Sequence, residues 1–204
     1  MSIRPGYRCI GCALLALVIY GLPVRADIAG SVHDFSKSGW SGGEVCVVCH
    51  TPHSADTNLV ESPLWNHQLS TTNYAMYDSA TLAVKPQSQP DGTTKLCLSC
   101  HDGTVAIDSF GSVTGNSVIS GRANLTSNLR DDHPISIKWD HQNQATNCAN
   151  CHGTHTQPFS TPLPFFNGNI ECATCHDVHS NTVEPTLLRM TLRGSQLCLH
   201  CHGK

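Results

Sequence analysis

The sequence predicts a chain of mostly irregular coil with short α-helices and very little β structure, folded around a core that its own side chains do not supply. Three observations lead there. The pattern C-x-x-C-H occurs five times, at Cys46-Val-Val-Cys49-His50, Cys97-Leu-Ser-Cys100-His101, Cys148-Ala-Asn-Cys151-His152, Cys172-Ala-Thr-Cys175-His176 and Cys198-Leu-His-Cys201-His202. Ser, Thr, Asn, Gly and Pro punctuate the long stretches between motifs, which therefore read as loops. The chain is also short for its motif count: 178 residues from Asp27 to Lys204 leave about 36 per motif, below the ~40 at which a chain usually needs metals or cross-links to fold.

Each C-x-x-C-H is the attachment signature of a c-type haem. Two thiols about one helical turn apart reach the two porphyrin vinyl groups, and the adjoining imidazole reaches the iron. Ten of the 12 cysteines are used in this way, which predicts five covalent haem c groups and their iron. Zinc ribbons also use paired C-x-x-C, but five units do not pair in twos. A disulfide framework gives no reason for the His that follows every pair outside the first 26 residues. The sixth pair, Cys9-Ile-Gly-Cys12, precedes Ala13 instead.

The elements follow in order. Arg4 and Arg8, the apolar run Ile10 to Leu22 and the Val24-Arg25-Ala26 site predict a signal peptide over 1–26, with a helix at 14–20. Its apolar run is shorter than the ~20 residues of a comfortable membrane span, and no later stretch is apolar enough to cross. From Asp27 onward nine basic residues face 15 acidic ones, a net charge of −6 with His neutral. No basic stripe exists for nucleic acid. One domain is expected over 27–204, with short helices around each attachment motif and another near 184–192. Segments 71–92 and 110–127 read as loops. Ser109 to Ile119 alternates apolar and small residues and predicts a short strand pair. The paired motifs at about 46–102 and 172–202 form a degenerate repeat, since both open on C-x-x-C-H-x-x-H and close on Leu-Cys-Leu-x-Cys-His. The fifth haem site, at 148–152, lies between them.

His50, His101, His152, His176 and His202 take one axial position on each iron. Filling of the opposite position separates an electron carrier from a catalyst, because a catalytic haem keeps that position open. Eight further His supply five places. His53, His155 and His179 each follow an attachment His by three residues. Three residues span at most about 10 to 11 Å, too little to pass around a porphyrin, so each of these would serve a different haem. His67 with Trp65 beside it, His133 with Asp132 and Pro134, and His33 with Asp34 are the other expected ligands. His141 and His200 are weaker candidates. Met76, Met190, Trp40, Trp65 and Trp139 read as packing residues. No residue is assigned a catalytic role.

At these residues the chain resembles the multihaem c-type cytochromes that carry doubled C-x-x-C-H motifs. HDFS, EVCVVCHTPHSAD, PLWNH, KLCLSCHDGT and DHPIS look like a set found in exported electron-transfer cytochromes, and the resemblance runs from about His33 to His202. It implies a multihaem cytochrome c fold with a core of stacked haems and bis-histidine iron. It also implies electron transfer in the periplasm or outside the cell. The implied partners are redox proteins or extracellular electron acceptors, and some relatives self-associate into extracellular filaments. The number and spacing of sites here differ from the four-haem filament members. A multihaem reductase is the competing reading and would need one open iron.

Overall fold

The computed structural model describes residues 28–57, 61–82, 84–139, 163–180 and 186–202. The predicted signal peptide and its helix, the third attachment motif at 148–152, His141 and His155 lie outside these residues.

Coil dominates, as expected. Among the described residues the one helix of more than a single turn is α1, Gly92–His101. α2 spans Cys172–Cys175 and α3 spans Gln196–Leu199. Each ends on an attachment motif. The first motif, at 46–50, forms a single turn rather than a helix. α1 stops where its chain reverses: Asp102 N–H bonds to Leu98 O at 3.0 Å and Gly103 N–H to Cys100 O at 3.2 Å. Gly103 then takes φ +72°. A side chain there would be strained and would also strike Asn124.

Side-chain packing among the described residues is thin. A small cluster of Tyr74, Leu98 and Leu129 lies behind α1, with Met76, Leu125 and Ile135 against it. That placement makes Met76 a packing residue. Polar groups fix much of the rest. Asp102 accepts from Ser70 Oγ at 2.5 Å, Tyr74 Oη at 2.6 Å, and Thr104 N and Oγ1 at 2.8 Å each. Burial alone would raise the Asp102 carboxyl, but these donors outweigh it and hold it below its ordinary value.

The sequence did not suggest the one sheet seen among the described residues. β1, Ile137–Lys138, pairs antiparallel with β2, Asn169–Ile170. Two residues are too short to display alternation. The pair matters because it brings buried Ser136 and Glu171 together against Thr94 of α1.

Besides the missing helix at the first motif, two expectations need correction. Ser109 to Ile119 makes no strand pair. Asp108 accepts the Asn116 and Ser117 amides at 3.0 and 2.8 Å, which satisfies donors that a ladder would have used. Gly111 and Ser112 both sit at positive φ, 60° and 66°, and turn the chain. The described part of the predicted 184–192 helix, 186–192, is also non-helical. Leu187 has φ 59°, and the segment bonds back to the fourth motif through Asp177 N–H to Leu187 O at 2.7 Å and Arg189 N–H to Cys175 O at 2.8 Å.

Candidate haem sites

The four described attachment motifs share one backbone device. The His amide returns to the carbonyl of the first cysteine, at 2.9 Å for His50, 3.0 Å for His176 and 2.8 Å for His202, and His101 closes the last turn of α1. That turn puts the two cysteines of each motif three residues apart on one side of a single helical turn.

The imidazoles are then aimed by backbone. His50 Nδ1 lies 2.6 Å from Pro63 O, His101 Nδ1 2.7 Å from Ala123 O, and His176 Nδ1 3.0 Å from Thr186 O. A carbonyl accepts only, so each Nδ1 must carry the proton, and Nε2 keeps its lone pair for a metal. No sequence feature signals these partners, because any residue supplies a carbonyl.

Three attachment imidazoles face a second imidazole. Ring centroids are 6.0 Å apart for His33 and His101, 6.0 Å for His50 and His179, and 6.1 Å for His133 and His202. Two metal–imidazole bonds of about 2.0–2.1 Å, plus about 1.1 Å from each nitrogen to its ring centre, give about 6.2–6.4 Å. The three separations fit an iron held between the rings. His133 Nδ1 lies 3.0 Å from its neighbour Pro134 O, so its tautomer is fixed in the same way. His33 Nδ1 is buried and has no hydrogen-bond partner. Burial first, then the His101 and His176 imidazoles, push His33 down to about 4, which keeps it neutral at pH 7 as a ligand must be.

The remaining candidates are not brought to that spacing. His67 is 3% exposed, with Nδ1 2.8 Å from Gln68 O and Nε2 3.0 Å from Ala106 O and 3.4 Å from Cys100 Sγ. Burial lowers its pKa against the pull of those carbonyls. Its ring lies beside Trp65, 6.4 Å between centroids. His53 is exposed on the turn after the first motif, and no ring lies against it among the described residues. His176 has no imidazole opposite it at this spacing among the described residues.

Asp34, the carboxylate expected to accept from the free ring nitrogen of His33, has another task. It accepts from Gly30 N at 2.7 Å and from Ser36 N and Oγ at 3.0 and 2.6 Å, capping the short turn Phe35–Lys37. The tryptophans lie against other rings of the chain: Trp40 on Phe35 and Phe110, Trp139 on Phe165, and Trp65 edge-on to His50 at 6.5 Å. Trp65 Nε1 is buried without a partner. Burial pushes the Cys49 and Cys100 thiols up to about 11 and about 12. Among the described residues no group of three or more His, Cys, Asp or Glu gathers as a zinc site requires. Nor is any helix there long and apolar enough to cross a membrane.

Residues 163–204, which hold the fourth and fifth motifs, match the family model described as the doubled CXXCH motif. No curated protein matches the chain. The match points to covalent haem c, to iron and to electron transfer, and such proteins are in general exported carriers rather than enzymes. Segment 163–204 is thus a doubled CXXCH module of the kind that multihaem c-type cytochromes carry.

Proposed function

We propose that this protein is an exported electron-transfer cytochrome carrying five covalent haem c groups, working in the periplasm or outside the cell. Bound haem supplies a one-electron iron couple, and the polypeptide sets its spacing and potential. In this reading His33 is the second ligand opposite His101, His179 the one opposite His50, and His133 the one opposite His202. His53, His67 and His155 remain for the irons of His152 and His176, and His67 would have to exchange its contact with Ala106 O for the iron. The observation that carries the reading is the recurrence of a 6.0–6.1 Å imidazole pair at three separate attachment motifs.

The same observation favours a carrier over a reductase. An imidazole seated opposite the attachment His leaves no position for substrate at that iron. Paired imidazoles also leave potentials lower than a His/Met pair does, so low midpoints are expected throughout.

Mass spectrometry of the exported protein with low-temperature electron paramagnetic resonance tests this. Five added haem masses and only low-spin ferric signals are expected. Fewer haems, or a stoichiometric high-spin signal in the untreated protein, would overturn the proposal.

A further inference from the structure

We infer that the chain folds its attachment sites at 46–50, 97–101 and 172–176 into a closed triangle, each site bordering both of the others. This rests on the reading of those sites as haem-bearing. Its consequence is two routes for an electron between any two of the three haems, where an open row offers one.

The first side joins α1 to α2. Thr94 lies one turn before Cys97 on α1. Its hydroxyl accepts the Cys172 amide at 3.1 Å and lies 3.5 Å from Cys172 Sγ. Thr94 thus ties the turn that leads into Cys97 directly to Cys172, so the porphyrin edges the two cysteines would hold are neighbours.

The second side joins the first motif to the end of α1. Asn66 donates its amide to Cys49 O at 3.0 Å and its side chain to Val47 O at 2.5 Å. The next residue, His67, puts Nε2 3.4 Å from Cys100 Sγ. Two residues therefore bridge the motifs.

The third side joins the first motif to the fourth. His179 faces His50 at 6.0 Å and stands three residues after His176, a tether of at most about 10 to 11 Å.

Adding a positive charge at one iron makes oxidation of a neighbour harder, and the effect falls with distance. In a triangle all three pairs show it; in an open row one pair does not. The test is a redox titration of the haem-loaded protein by nuclear magnetic resonance, following the haem methyl signals of each site. His33→Met and His179→Met assign the signals of the 97–101 and 46–50 haems. All three pairs should show mutual displacement of their midpoints. In Cys97→Ser/Cys100→Ser the displacement between the other two should stay within twofold of its wild-type value. One silent pair, with all haem masses and low-spin signals present, would overturn the triangle and leave the proposed function standing. A protein without haem at these motifs would overturn both. Should a variant fail to mature, the pairwise pattern of the wild-type protein decides alone.

Discussion

Replacing His179 by Ala should open the iron attached at His50 and leave untouched the iron attached three residues away at His176. The geometry sets the size of the effect. His179 and His50 rings lie 6.0 Å apart and 18° from parallel, and His50 stays held by Pro63 O at 2.6 Å. The variant therefore loses one axial bond and keeps the other. Apart from that axial bond the His179 side chain, 53% exposed and 3.7 Å from Asp177, contributes little: exposed substitutions of this kind cost at most about 0.5 kcal/mol, so a larger loss of stability would report the iron bond itself. One haem in the protein should change from low-spin to high-spin ferric in electron paramagnetic resonance, and free imidazole should restore it. The high-spin signal should vanish when Cys46→Ser/Cys49→Ser removes the first haem. It should persist when Cys172→Ser/Cys175→Ser removes the fourth. The reverse pattern, or no high-spin signal at all, would refute the assignment of His179 across motifs.

Three further outcomes follow from the packing. Leu98→Ala empties a side chain 1% exposed in the Tyr74–Leu129 cluster and should cost about 2–5 kcal/mol in denaturant unfolding; a loss below 1 kcal/mol would mean that the cluster is not a core. Tyr74→Phe removes the 2.6 Å donor to Asp102 and should cost about 1.5–3 kcal/mol, as for a hydrogen bond to a charged group. Because Asp102 is held low, its contribution exists above its unfolded pKa and is lost as pH falls through the folded one. The variant should accordingly acid-denature at higher pH than wild type, and an unchanged acid midpoint would count against the network. Glu171 behaves with opposite sign. Burial raises its carboxyl in spite of donors at Thr94 and Ser136, so the folded state favours the proton and stability falls as pH rises through the folded pKa. Unfolding free energies between pH 4 and 7 should show that slope in wild type and a flatter one in Glu171→Gln; an undiminished slope would refute it.

Much of the site was legible because haem attachment is local chemistry. Cys-x-x-Cys-His works within one helical turn, and the folded chain forms that turn at each described motif through the same His-to-Cys amide bond. Scarce regular structure was legible too, since motif-dense sequence with Gly and Pro punctuation has little to build helices from. The errors arose where side chains competed with the ladder. Asp108 takes the amides that a 109–119 strand needed. The 186–192 segment spends its hydrogen bonds on the fourth motif. Asp34 looked like a partner for the His33 ring and instead caps the turn behind it.

The sequence by itself marked which cysteines and imidazoles form attachment motifs, because bond lengths and turn geometry confine each motif to five consecutive residues. It also determined that a His three residues past an attachment site cannot fold back onto its own iron. Which imidazole stands opposite which was decided only by the tertiary structure. His33 meets His101, His179 meets His50 and His133 meets His202 across long loops whose closure costs depend only weakly on length. With so little entropy separating the alternatives, the choice falls to packing: the seating of α1 on α2 and the reach of residues 66 and 67.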